Sequence, residues 1–178
     1  SSITRGADTV VNLRVGPEIG VVASKTFSAQ VLLLELIALD WARRSGALAA
    51  ASIADLARQF AQLPDLVQAA LGTDHQMQHL AEKIWTRKSC FFFGRGFGYP
   101  IALEGALKLK EISYLHAEGY PAGEMKHGPI AMLDPEIPVI ALAMQSATLD
   151  KVVSNIQEVR ARQAPVIALA TEGNTAIA

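Results

Sequence analysis

Cysteine is almost missing from this chain: of 178 residues, one, Cys90, carries a thiol. That excludes an internal disulfide framework and a multi-thiolate zinc site, and makes a reducing cytosol the expected location. A surplus of one charge is missing too, with 16 Lys and Arg against 17 Asp and Glu, a formal net charge of -1. A nucleic-acid binder needs a basic footprint, and no basic run supplies one here. Long apolar runs are absent: Val31–Leu34 stops at Glu35, far short of the ~18 residues of a membrane helix. The sequence begins Ser1-Ser2 without Met and shows no charged-then-apolar leader. Low-complexity segments and short-period repeats are absent as well.

What is present is a globular composition, 51% hydrophobic and 19% charged. The length suits one domain, or one and a part. A chain of ~150 residues hides roughly two thirds of its unfolded surface, so a sizeable core is possible. Thr9–Val15 reads as a short strand rich in β-branched residues, closed by Gly16-Pro17. Apolar residues then recur every three to four positions from Ser24 to about Arg44, a helix ended by Gly46. Ser52 is placed to cap a helix to about Leu63, Pro64-Asp65 to open another to Leu71, and Asp74–Thr86 to form a third.

The texture changes at Ser89. Cys90–Phe93, Pro138–Ala143 and Pro165–Ala170 are continuous apolar strands, separated by helices over about 101–115 and 148–162. Strand, helix, strand, helix, strand predicts an α/β fold, a parallel sheet covered on both faces. The N-terminal strand and helix have no partner strands of their own. The chain is therefore either a small mixed domain or a piece of something longer.

Open parallel sheets bind ligands at the carboxyl ends of their strands, here after Phe93, after Ala143 and between Tyr114 and Pro129. Gly94-Arg95-Gly96 could bring backbone N–H groups to an anion, although the turn alone accounts for the glycines. Met144–Thr148 has hydroxyls but no glycine, and reads as a helix cap rather than a phosphate cradle. On the helix that follows Gly98, the spacing puts Glu104, Lys108 and Glu111 within a sector of ~60°. Spacing alone favours a solvated ion-paired face; the alternative is a carboxylate base beside an ammonium. Beyond it His116, Glu118, Glu124, Lys126 and His127 lie among glycines and prolines, where titratable groups are good site candidates. A metal is the weaker reading, since no paired-His motif appears. His75 and His79, at i,i+4 without acidic company, read as surface or packing residues.

The run GRGFGYPIALEGALKLKEISYLHAEGYPAGEMKHGPIAML, residues 94–133, resembles the isomerase part of the glucosamine-6-phosphate synthase family, the glutamine:fructose-6-phosphate amidotransferases of amino-sugar synthesis. GPEIGVVASKTFSAQ, residues 16–30, is similar to the end of that family's first sugar-isomerase (SIS) subdomain, and SNIQEVRAR, residues 154–162, is a third match in family order. The resemblance implies an SIS-type doubly wound parallel sheet with helices on both faces, preceded by a helical connector. Residues 1–45 would be the end of the first SIS subdomain, 46–87 the connector, and 88–178 the second SIS subdomain without its C-terminal tail. Family members carry an N-terminal glutaminase, which is outside this chain.

Residue by residue, the resemblance implies that Glu111 moves the proton between sugar C1 and C2. Lys108 would hold it ionised and stabilise developing charge, and His127 would open the sugar ring from a neighbouring subunit, so a homodimer is implied. Val21 falls on a position whose backbone contacts the sugar, with Glu18 in the same loop. One departure stands out: Ala23 replaces a usual hydroxyl, which puts a side-chain contact there in doubt. No metal or organic cofactor is implied. The partners implied are fructose 6-phosphate and glucosamine 6-phosphate, with no nucleic acid and no membrane. Two alternatives are a free-standing SIS-type amino-sugar-phosphate deaminase or isomerase and a non-catalytic sugar-phosphate-binding module. The helix glutamate and loop histidine argue against the second, because binding alone needs no base.

Overall fold

The structure is a computed structural model that describes residues 2–177, apart from the side chain of Ile3. It forms two compact units, the first running to Asp74 and the second beginning at His75. In the first unit two long helices follow a segment that holds one 3₁₀ turn and is otherwise irregular: α1 (Lys25–Ser45) and α2 (Ala50–Leu71). Gly46, in the left-handed region at φ 69°, ends α1 and donates its N–H to the Ala42 carbonyl.

Two expectations fail in this unit. Thr9–Val15 forms no strand: a β-strand is held by pairing with a neighbour, and none among the described residues offers it an edge. The two helices expected around Pro64 are one, because α2 runs through that proline. Pro64 removes one backbone donor. Ile53, Leu56, Phe60 and Leu63, half-buried at three- and four-residue spacing, form the packed face of the helix before it, and the residues from Pro64 to Leu71 are exposed.

Helix α3 (Asp74–Ile84) starts at the boundary, and the second unit goes on with β1 (Ser89–Gly94), α4 (Gly98–Ser113), β2 (His116–Pro121), β3 (Val139–Ala143), α5 (Leu149–Arg160) and β4 (Val166–Ala170). All pairings are parallel, in the order β2-β1-β3-β4. The doubly wound parallel sheet expected from the sequence is therefore present. Strand β2 was not expected. Its six residues pair in register with the whole of β1, from Ser89 opposite His116 to Gly94 opposite Pro121.

Alternation along the strands sorts the core into two layers. Cys90, Phe92, Ala117 and Leu142 pack with Ala102 and Ala106 of α4 on one face. Phe91, Phe93, Val139 and Ala141 pack with Val152, Ile156 and Val159 of α5 on the other. Phe91 and Phe93 are 2% and 0% exposed. Each buried side chain of this size contributes about 1.5–3 kcal/mol by its removal from water, so these layers hold the sheet.

The helix α4 lies close to the sheet because glycines let it. A Cβ on Gly119 would sit 2.9 Å from Leu103 Cα, and one on Gly94 would sit 2.4 Å from the carbonyl carbon and oxygen of Gly98.

Candidate functional site

Helix α4 turns Ala102 and Ala106 to the sheet, so the residues lying roughly 140–200° round from Ala106 face away from it. Those are Glu104, Lys108 and Glu111. Their side chains are nonetheless only 22%, 23% and 31% exposed. The Lys108 ammonium bridges the two carboxylates, 2.6 Å from Glu104 Oε1 and 3.5 Å from Glu111 Oε2. The pair of contacts is unequal, and the inequality matters chemically. Glu104 is the close partner, and its hydrogen bond is the main reason the Lys108 pKa is raised, with Glu111 adding a smaller electrostatic contribution. The ammonium is thus held protonated. Glu111 Oε2, shielded from solvent, accepts no hydrogen bond. Glu111 thus sets a carboxylate directly beside a fixed positive charge, the pair of groups that a proton transfer with developing negative charge uses. The sequence placed Glu104 on this face without giving it a role; its position four residues before Lys108 was the signal.

His127 closes the 3₁₀ segment Ala122–His127, which follows β2. Ala122 and Met125 of that segment are fully buried in the α5-side core. His127 itself is exposed. The α4 and α5 layers lie on opposite faces of the sheet, and among the described residues no hydrogen bond or ion pair joins His127 to Glu111. One chain brings Glu111 to Lys108 but does not bring His127 to either.

Glu18 and Val21 precede α1. The Glu18 carboxylate caps that helix: Oε1 accepts from the Ser24 N–H at 2.9 Å, the Ser24 hydroxyl at 2.9 Å and the Lys25 N–H at 3.0 Å, while Oε2 accepts from the Thr26 hydroxyl. The Thr26 hydroxyl first, and then the Ser24 amide, pull its pKa down to about 2. Val21 is 84% exposed. Within β2, His116 Nε2 stands 3.5 Å from Glu118 Oε1. The Glu118 carboxylate also accepts the Tyr120 hydroxyl, whose pKa burial, with that contact, pushes up to about 12.

The sheet order reverses between β1 and β3, and this is where open α/β sheets form their crevice. A cleft of about 540 Å³ lies there, lined by Arg95–Gly98 after β1 and Met144–Thr148 after β3. The side-chain cap expected from Met144–Thr148 is not made: the N-cap residue of α5 is Thr148, which makes no side-chain bond to the first turn, and Ser146 Oγ accepts the Thr148 N–H at 3.3 Å within the preceding turn.

A four-stranded parallel sheet wound on both faces, with a crevice at its switch point, is the architecture of a sugar-isomerase domain. The family model described as "SIS domain" matches residues 83–178. The chain belongs to the SIS-domain family. Narrower likeness comes from individual proteins. The chain is 50% identical over 177 residues to a protein of Methanosarcina mazei named glutamine--fructose-6-phosphate aminotransferase [isomerizing], covering 99% of this chain. It is 46% identical over 177 residues to the protein of that name from Bacteroides thetaiotaomicron. In both cases it spans 29% of the relative's length. Among solved structures, the C-terminal domain of glucosamine-fructose-6-phosphate aminotransferase from Francisella tularensis superposes with a TM-score of 0.95 at 40% identity, over 97% of this chain and 48% of that one.

Proposed function

We propose that this chain is the isomerase part of a glutamine--fructose-6-phosphate aminotransferase. The observation that carries the reading is the Glu104–Lys108–Glu111 array on α4, set in a SIS fold whose 50%-identical relative bears that name. In the reaction, ammonia released from glutamine condenses with the C2 ketone of fructose 6-phosphate, water leaves, and an imine forms. Isomerisation then needs a base to lift a proton from C1, giving an enolamine, and an acid to deliver a proton to C2 as the C1 hydroxyl becomes the aldehyde. Glu111 does both, accepting the proton on its carboxylate and returning it to the neighbouring carbon. Lys108, fixed by Glu104, keeps positive charge beside the carboxylate and the developing enolamine oxygen.

His127 opens the sugar ring, and its place on the sheet face away from α4 favours its acting in a second subunit's site. The working unit is then a homodimer, in the cytosol. The loop of Glu18 and Val21 binds sugar, with the Glu18 carboxylate engaged in capping α1 and Val21 contributing backbone. Residues 1–45, 46–87 and 88–178 are the end of a first SIS subdomain, a connector and most of a second, and a glutaminase domain supplies the ammonia.

The test is complementation in the full-length protein. Glu111→Gln and His127→Ala homodimers should each be nearly inactive, whereas mixed and re-associated subunits should regain activity from one intact composite site. Activity of Glu111→Gln alone at the wild-type level would refute the reading, and failure of the mixture to regain activity would refute the shared site.

A further inference from the structure

The 3₁₀ segment that carries His127 is short, and its hydrophobic anchors, Ala122 and Met125, fix its inner side only. Between them lies Gly123. A Cβ there would meet Arg95 Nη2 at 2.9 Å, and Nη1 and Cζ at 3.3 Å each, so the flat guanidinium rests directly on the Gly123 backbone. The guanidinium is held in turn from the other side. Arg95 Nε donates to Asn155 Oδ1 at 3.0 Å, and Asn155 Nδ2 donates to Glu158 Oε2 at 3.0 Å. Asn155 is 4% exposed, the one buried polar side chain among the described residues outside the hydrophobic core. A buried amide is costly unless both its ends are bonded, and here Arg95 and Glu158 bond both. Lysine could not replace Arg95, because the contact uses a planar face and a side-on N–H at once. The three residues come from two distant stretches of sequence, the turn after β1 and helix α5.

We infer that Arg95, Asn155 and Glu158 form a polar strut that positions His127, by bracing the Ala122–His127 segment against the carboxyl end of β1. These are positioning residues, acting through the segment rather than on the sugar. The inference rests on the assignment of ring opening to His127. Ring opening needs the imidazole placed to within a fraction of an ångström, and a displacement of about 1 Å can cost on the order of 10²-fold.

Gly123→Ala is the incisive variant. The atom its methyl meets is the free end of a flexible side chain, so the protein can fold round it by displacing Arg95. Asn155→Ala removes the strut from the opposite side. In the full-length protein, each should lower kcat about 10- to 100-fold while KM for fructose 6-phosphate moves less than about threefold. In a His127→Ala background, neither should lower kcat further. An equal loss in both backgrounds, or an unchanged kcat in the first, would overturn the inference. Amide hydrogen exchange over residues 122–127 reads the strut independently of the reaction. If His127→Ala itself keeps full turnover, the role of His127 falls; about tenfold faster exchange in Gly123→Ala then still upholds the brace, and unchanged exchange overturns it.

Discussion

Gly94→Ala tests the packing that creates the crevice. Gly94 ends β1, and the first turn of α4 lies directly on it. An alanine methyl would stand 2.4 Å from the Gly98 carbonyl carbon and oxygen and 2.9 Å from the Tyr99 nitrogen, all backbone atoms. None can rotate away, so the helix start must retreat by about 1 Å to reach an ordinary contact distance. Overpacking of this kind costs about 1–3 kcal/mol. The retreat also strains the two bonds that close the turn, Gly98 N–H to the Arg95 carbonyl at 2.9 Å and Tyr99 N–H to the Gly96 carbonyl at 3.2 Å. Each contributes about 1 kcal/mol. The expected loss is therefore about 3 kcal/mol, or a fall of about 1.5 M in the urea midpoint at a typical m-value of about 2 kcal/mol/M. Gly96→Ala is the control. Gly96 has φ +52° with nothing within 4 Å of its added methyl, so only the left-handed backbone is penalised, by about 1 kcal/mol. Urea unfolding followed by circular dichroism compares the two. A Gly94→Ala midpoint at or above that of Gly96→Ala would refute the reasoning.

Other perturbations separate the remaining contributions. Glu18, with its pKa lowered from 4.5 to about 2, supports the first turn of α1 fully above about pH 4.5 and loses that support as pH falls toward 2. The protection of the amides of residues 24–28, their exchange relative to the intrinsic rate at each pH, should therefore fall across that window in the wild type and be lower, without the pH step, in Glu18→Gln; parallel profiles would contradict the cap. Cys90 is fully buried and burial pushes its thiol up to about 12, so it should resist alkylation at pH 8 until the protein unfolds, and rapid native-state labelling would show the β1 core to be open. Lys108→Met should slow C1–C2 proton transfer by about 10²-fold and change sugar-phosphate binding much less; a loss confined to binding would place Lys108 outside the chemistry.

The parts of the fold that the sequence discloses are those decided locally. Phe91–Phe93 and Val139–Ala143 are apolar without interruption because both faces of the sheet are covered, and such runs are readable from composition. Strand β2 is not. His116–Pro121 contains three titratable residues, a glycine and a proline, and it is a strand because β1 offers its edge and because Gly119 lets Leu103 lie against it. Those are contacts made across the chain, and charged residues on an edge strand are a common device against aggregation. Thr9–Val15 is the converse, a strand-like composition that finds no partner. Pro64 misled because proline costs a helix one backbone donor and α2 continues through it all the same. At the candidate site, the Glu104–Lys108–Glu111 sector followed from helical spacing, but the unequal distances from Lys108 to the two carboxylates did not. The Arg95–Asn155–Glu158 strut was invisible, since it joins side chains 60 positions apart whose pairing only the fold specifies.

The most direct test of the account is the fate of the C1 proton. Fructose 6-phosphate carrying deuterium at C1, given with glutamine to the full-length protein, allows NMR to follow loss of the label and its arrival at C2. The account predicts that Glu111→Gln slows this transfer by about 10³-fold while leaving thermal stability and sugar-phosphate binding near those of the wild type. Transfer at the wild-type rate in that variant would contradict it and move the base to another residue.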